Sequence, residues 1–151
     1  MRTGDLVSDF TLPDQSGTPR TLSSLLAAGP VVLFFYPAAM TKGCTKESCH
    51  FRDLAAEFAN LGAQRVGISM DSVDRQGEFA AQNNLDYPLL CDVEGVVAKE
   101  FNVKRAVDFL KVKRATFVIG QDRRVLDVIT SETNMNVHAE RAIATLERLK
   151  A

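Results

Sequence analysis

A chain of 151 residues is long enough for one domain with a sizeable hydrophobic core and short for two. Apolar residues make up 46% and charged residues 25%, with a formal net charge of -1 mixed along the chain; this excludes a basic nucleic-acid binder and a polybasic membrane anchor. The longest apolar run, 31–40, is interrupted by Pro37 and falls far short of a membrane span.

The opening Met1-Arg2-Thr3-Gly4-Asp5 leads into no apolar core or cleavage site, so a cytoplasmic protein is expected. Residues 9–12 read as a short strand, followed by a turn at Asp14-Gln15-Ser16-Gly17. Ser23 is placed to cap a short helix that Gly29 stops. Residues 31–36 are continuously apolar, with β-branched and aromatic side chains, as in a strand buried on both faces, and Pro37 ends it. A helix then runs from about Cys44 to Leu61, with Phe51, Leu54, Ala55, Phe58 and Leu61 at helical spacing and Gly62 as its stop. A second central strand is expected at 65–69, then a polar helix opened by Asp71 or Ser72 and running to about Asn84. A strand at 87–90 and a short helix at 95–101 follow. The stretch 106–112, with Phe109 and Leu110, reads either as an apolar loop near a site or as core. Strands at 116–119 and 125–130 flank the polar turn Gln121-Asp122-Arg123 and predict an antiparallel hairpin. The last helix, 137–149, puts Ala139, Ile143, Leu146 and Leu149 on one face. Strands alternating with helices predict one α/β domain over 1–151, a mixed central sheet with helices on both faces.

Three cysteines in a chain expected in a reducing compartment are no disulfide framework. Cys91, at the end of a strand, reads as a structural thiol. Cys44 and Cys49 lie where a buried strand ends, a loop with Pro and Gly follows, and a helix begins. In open α/β sheets ligands bind outside the carboxyl ends of the strands. At a helix start, unpaired N–H groups and the helix dipole favour an anion, and the thiolate is the nucleophilic form of cysteine. Exposed Lys42 and Lys46 add a small, screened positive potential. Cys44 is seven residues before Phe51 and so faces inward with the apolar stripe. Cys49 sits about 140° around the helix from it and about 7.5 Å along the axis. In an intact helix the two Cα atoms stand roughly 8–9 Å apart, beyond the usual disulfide limit of about 7 Å. A disulfide between them requires the first turns of the helix to unwind.

The run Pro37-x-x-x-Thr41-x-x-Cys44 resembles the active-site motif of the peroxiredoxins. With Cys49 five residues on, followed by Phe51-Arg52-Asp53, it resembles the bacterioferritin-comigratory protein or PrxQ subgroup. Gly4-Asp5 through Phe10-Thr11-Leu12-Pro13-Asp14, Tyr87-Pro88-Leu89-Leu90 and Arg114-Ala115-Thr116-Phe117-Val118-Ile119 resemble further family segments, so the likeness covers nearly the whole chain. It implies a thioredoxin-like fold and thiol-dependent reduction of hydrogen peroxide and organic hydroperoxides. Cys44 would be the peroxidatic cysteine, oxidised to a sulfenic acid. Thr41 would hydrogen-bond the thiolate and the peroxide, and Arg114 would stabilise both. Pro37 would shape and shield the pocket, and backbone N–H groups near Gly43 and Cys44 would add donors. Glu47 would orient Arg114. The aromatic run 34–36 reads most simply as core, with Tyr36, beside Pro37, as the residue that could instead line the pocket. Cys49 would be the resolving cysteine of an intramolecular disulfide, recycled by thioredoxin or a similar dithiol. No metal or organic cofactor is implied, and a monomer is expected. Two positions depart from the pattern: Lys42 stands where the subgroup usually has proline, and Gly120 where the family commonly has aspartate.

Two other readings use the same residues. A dithiol–disulfide oxidoreductase would use Cys44 and Cys49, although the C-x-x-C spacing is absent. A copper- or zinc-carrying protein would add a histidine, although C-x4-C-H matches no common zinc set. His50 reads instead as a solvated helix-face residue and His138 as a surface residue.

Overall fold

The computed structural model describes residues 1–106 and 111–150. Of the stretch 106–112, residues 107–110, with Phe109 and Leu110, thus lie outside the described residues.

The elements in chain order are β1 (Thr11–Pro13), β2 (Pro19–Thr21), α1 (Leu22–Leu26), β3 (Val31–Phe35), α2 (Lys42–Asp53), α3 (Ala55–Asn60), β4 (Gln64–Ser69), α4 (Val73–Asn83), β5 (Leu89–Cys91), α5 (Val96–Glu100), β6 (Ala115–Ile119), β7 (Val125–Thr130) and α6 (Asn136–Lys150). A five-stranded sheet has the order β5-β4-β3-β6-β7. The pairs β3–β4 and β4–β5 are parallel, whereas β3–β6 and β6–β7 are antiparallel. The sheet is therefore mixed, as expected.

Strand β3 is central, and its alternation separates two cores. Val31, Leu33 and Phe35 pack with Leu22 and Leu26 of α1 and Val97, Ala98 and Phe101 around α5. Val32, Phe34 and Tyr36 pack on the opposite face with Phe51, Phe58, Phe79, Ala142 and Leu146 from α2, α3, α4 and α6. The period-2 side-chain direction of a strand thus puts helices on both faces. Among the described residues, no helix is long and apolar enough to cross a membrane.

Four local expectations need correction. The helix expected to run unbroken to Leu61 divides at Leu54, whose φ of -96° and ψ of 21° leave helical geometry. Arg65 of β4 explains the break: its Nη1 donates to the carbonyls of Phe51 (3.1 Å) and Arg52 (3.4 Å) and so satisfies the end of α2. Strand β2 was not expected. It pairs with β1 across the Asp14 turn, where the Asp14 carboxylate accepts from the amides of Ser16 and Thr18 and from Arg20. Ser23 does not cap α1; Thr21 is the N-cap, and Asp9 takes both the amide and the hydroxyl of Ser23. Finally, α6 buries His138, Ala139, Ala142, Thr145 and Leu146, while Leu149 is 57% exposed. Its buried face is rotated by about one residue from the expected one.

Candidate active site

The register of β3 against β6 assembles the site. Phe35 pairs with Ala115, so the loop after β3 and the residue before β6 meet at the carboxyl end of the parallel strands. The loop supplies Pro37 and Thr41, and the position before β6 is Arg114. Helix α2 then starts at Lys42 with Thr41 as N-cap, which places Cys44 in its first turn. The first intrahelical bond runs from the Thr45 amide to the Thr41 carbonyl at 2.9 Å, so the amides of Lys42, Gly43 and Cys44 precede it. Stacking of Phe51 on Phe34, with ring centroids 4.1 Å apart, seats the helix on the sheet.

Cys44 is fully buried, as the helical spacing requires. Its Sγ accepts from Arg114 Nη2 at 3.2 Å. Arg114 Nη1 donates to Glu47 Oε1 at 2.7 Å, one helical turn along α2. A single buried guanidinium therefore bridges the thiol and the carboxylate. Burial alone would weaken the hold of Arg114 on its proton, but the adjacent Glu47 and Cys44 raise it above the usual arginine value. Burial pushes the Glu47 carboxyl up to about 7, against the pull of Arg114. The Arg114 amide donates to Glu132 Oε1, which also accepts from Arg105 at 2.8 Å.

Gly43 lies directly against this guanidinium. A Cβ there would stand 3.3 Å from Arg114 Nη2 and 3.6 Å from the Met135 sulfur. The absence of a side chain lets Arg114 reach Cys44. Thr41 behaves differently from the expectation: its hydroxyl donates to the Ala38 carbonyl at 2.8 Å and makes no hydrogen bond to Cys44. Thr41 is exposed, and its hydroxyl oxygen keeps its capacity to accept. Of the two readings of Tyr36 the core one holds: it is fully buried, and its hydroxyl donates to Gln76 Oε1 at 2.5 Å.

Cys49 is half-buried, and its thiol makes a weak 3.7 Å contact with Asn83 Oδ1. All three cysteines are free. Helix α2 is continuous across Cys44 and Cys49, so the separation of about 8–9 Å set by helix geometry applies. Helix α2 is held in place by the contacts of Arg114 with Cys44 and Glu47, the 2.7 Å bond from the Tyr87 hydroxyl to the Ser48 carbonyl and the 2.7 Å bond from Arg52 to the Asn83 carbonyl. Cys91 is buried against the Asp14 carbonyl, and burial pushes its thiol up to about 11, which suits an unreactive structural residue.

Sequence reasoning missed several residues here. Asp71 takes the amide of Ala39 at 2.7 Å and the Ser69 hydroxyl at 2.7 Å, tying the loop to the end of β4. His138 is fully buried rather than on the surface: Nε2 meets the Ser131 carbonyl at 2.9 Å, and Nδ1 meets the Thr116 hydroxyl at 2.8 Å. The four-residue spacing of His138, Ala142 and Leu146 was the available signal. His50 is not fully solvated; its Nε2 is buried and lies 3.5 Å from Glu140. Among the described residues, no group of three or more His, Cys, Asp or Glu side chains is arranged to hold a metal ion.

The model of the AhpC/TSA family matches residues 3–128. The chain belongs to that family. This peroxiredoxin is 61% identical to the peroxidoxin BcpB of Mycobacterium tuberculosis, whose crystal structure superposes with a TM-score of 0.96 over 100% of this chain and 99% of that one. It is 37% identical over 147 residues to the chloroplastic peroxiredoxin Q of Sedum lineare, covering 97% of this chain and 78% of the other. The structure of the Xanthomonas campestris bacterioferritin comigratory protein superposes with a TM-score of 0.89 at 26% identity over 100% of both chains. These relatives place the peroxiredoxin in the bacterioferritin-comigratory protein or PrxQ subgroup, with a thioredoxin-like fold. Its activity is that of a thiol peroxidase.

Proposed function

We propose that Cys44 is the peroxidatic cysteine of this peroxiredoxin and Cys49 its resolving cysteine, in an atypical two-cysteine cycle recycled by thioredoxin. The observation that carries the reading is the 3.2 Å contact between Arg114 Nη2 and Cys44 Sγ, held by the Glu47 bridge. A thiolate at Cys44 attacks the terminal oxygen of a hydroperoxide, the O–O bond breaks, and the alcohol or water leaves with a proton. The sulfur becomes a sulfenic acid. Arg114 stabilises the thiolate and the charge developing on the peroxide oxygens. The Thr41 oxygen, its own hydrogen committed to Ala38, accepts the hydroperoxide hydrogen. The free amides of Gly43 and Cys44 add donors, and Pro37 shields the sulfur. The first turns of α2 then unwind, and the Cys49 thiol displaces water from the sulfenic acid to form an intramolecular disulfide. A dithiol reduces it by exchange.

Hydrogen peroxide and organic hydroperoxides are both proposed substrates; the Xanthomonas campestris structure is described in terms of alkyl peroxide reduction activity. No metal or organic cofactor enters this scheme. A cytoplasmic monomer in antioxidant defence fits an intramolecular cycle. The test couples the protein to thioredoxin, thioredoxin reductase and NADPH. Rapid NADPH loss on adding either peroxide is expected, with none in Cys44→Ser. Turnover that persists in Cys44→Ser, or turnover without disulfide formation in the native protein, would refute the scheme.

A further inference from the structure

The buried site holds one cation and two groups that carry negative charge during the reaction. With Cys44 as thiolate, the Arg114 guanidinium faces both the sulfur at 3.2 Å and the Glu47 carboxylate at 2.7 Å, and the cluster has one excess negative charge. Cys44, Glu47 and His138 are fully buried, and Arg114 is 6% exposed. Water cannot offset that charge, so burial makes it costly. Arg105 adds no compensation, because it already pairs with Glu132.

One place in the cluster can take a proton. Glu47 Oε2 is buried and has no hydrogen-bond partner. It lies 3.6 Å from His138 Nδ1, just beyond a hydrogen bond. The Ser131 carbonyl can only accept, so Nε2 of His138 carries a hydrogen and the neutral ring presents a lone pair at Nδ1. The Thr116 hydroxyl occupies that lone pair at 2.8 Å, so a proton shared between Nδ1 and Oε2 must compete with it. The groups facing this pair are Arg114 from the start of β6, Cys44 on α2, Glu132 before α6, Tyr87 before β5 and the uncharged Thr116 of β6.

We propose that His138 is a positioning residue of the peroxidase site: His138 and Glu47 hold one proton between them while Cys44 is a thiolate, and this keeps the buried site neutral so that one arginine serves both anions. The inference rests on the reading of Cys44 as the peroxidatic thiol. The proton count balances. The hydrogen lost from the Cys44 thiol equals the one held by the pair, and the pair gives one up when the departing alcohol or water gains one. Burial moves the two groups toward each other, with the carboxyl up to about 7 and the imidazole below its usual 6.5, so a shared proton belongs to the pair rather than to either residue.

The test has two readouts. The chain has two histidines, so imidazole 15N spectra resolve His138, with His50 as an internal reference. The His138 nitrogen resonances of reduced native protein at neutral pH are expected to differ from those of Cys44→Ser, which has no thiolate. The second readout is the rate of sulfur oxidation by hydrogen peroxide against pH. His138→Gln keeps a donor for Ser131 and an acceptor for Thr116 but cannot hold the proton, so its profile moves upward by about one unit, a ~tenfold loss on the acid limb. Thr116→Val removes the competing donor to Nδ1 and moves the profile the other way. Superimposable profiles for native and His138→Gln protein, or His138 resonances that ignore Cys44→Ser, would overturn the proposal. A native protein that reacts no faster than a free thiol while His138 still responds to Cys44→Ser refutes the peroxidatic reading alone.

Discussion

Replacing Arg114 by lysine keeps one positive charge but removes the fork that bridges two acceptors. In the native protein Nη1 reaches Glu47 at 2.7 Å while Nη2 reaches Cys44 at 3.2 Å. An ammonium is a single point of charge and cannot serve both positions with the same geometry. It will stay with the stronger acceptor, the carboxylate, and leave the sulfur and the peroxide oxygens without their donor. One preorganised donor aimed at developing charge is worth about 2.7–4 kcal/mol, or ~100–1,000-fold in rate. The second-order rate of reduced Arg114→Lys with hydrogen peroxide should therefore fall by that factor, measured by stopped flow under single-turnover conditions. Folding stability should fall much less, because Glu47 keeps a cation. Arg114→Ala is the contrasting variant: it leaves the buried Glu47 unpaired, at a cost of about 3–5 kcal/mol in stability. An Arg114→Lys rate within about threefold of native would refute the reasoning that the fork matters.

Three further outcomes are expected. Gly43→Ala puts a Cβ 3.3 Å from Arg114 Nη2, which displaces the guanidinium by a few tenths of an ångström and slows peroxide attack ~10-fold with little change in stability; an unchanged rate would show that the close approach is not needed. Glu47 holds its proton more tightly in the folded chain, at about 7 against an ordinary 4.5. Its favourable contribution is therefore fully present below pH 4.5 and lost as pH rises through 7, so urea titrations of native protein and Glu47→Gln should diverge by about 3 kcal/mol across that window; a constant difference would contradict it. Cys91, buried and raised to about 11, should resist iodoacetamide at pH 8 until the chain unfolds; labelling as fast as that of Cys49 would contradict its structural role.

The alternation of apolar strands with amphipathic helices was enough to read the sheet and its two covered faces, because those patterns are local. The inward orientation of Cys44 was equally legible, since seven residues to Phe51 is two helical turns. What escaped was set by distant partners. Arg65 ends α2 from 13 and 14 residues away, and no local stop signal marks Leu54. Thr41 is a residue of the family motif, yet the direction of its hydroxyl depends on how the loop folds over Ala38. His138 comes shortly after a mostly polar stretch, 132–136, and a histidine there reads as surface. It is buried because Thr116 and the Ser131 carbonyl satisfy both ring nitrogens, a long-range pairing that composition does not encode. The core reading of the aromatic run 34–36 holds for Tyr36, which strand alternation puts on the face with Val32 and Phe34.

In the proposed cycle Cys44 attacks from an intact α2, and Cys49 reaches it only when that helix opens. The direct measurement adds one equivalent of hydrogen peroxide to the reduced protein, blocks the remaining thiols and maps the disulfides by mass spectrometry, with amide hydrogen exchange of α2 followed alongside. A Cys44–Cys49 disulfide within one chain is expected, with Cys91 still free and faster exchange over the first turns of α2 in the oxidised form. A disulfide that involves Cys91, or one between Cys44 and Cys49 formed with α2 still protected, would contradict it.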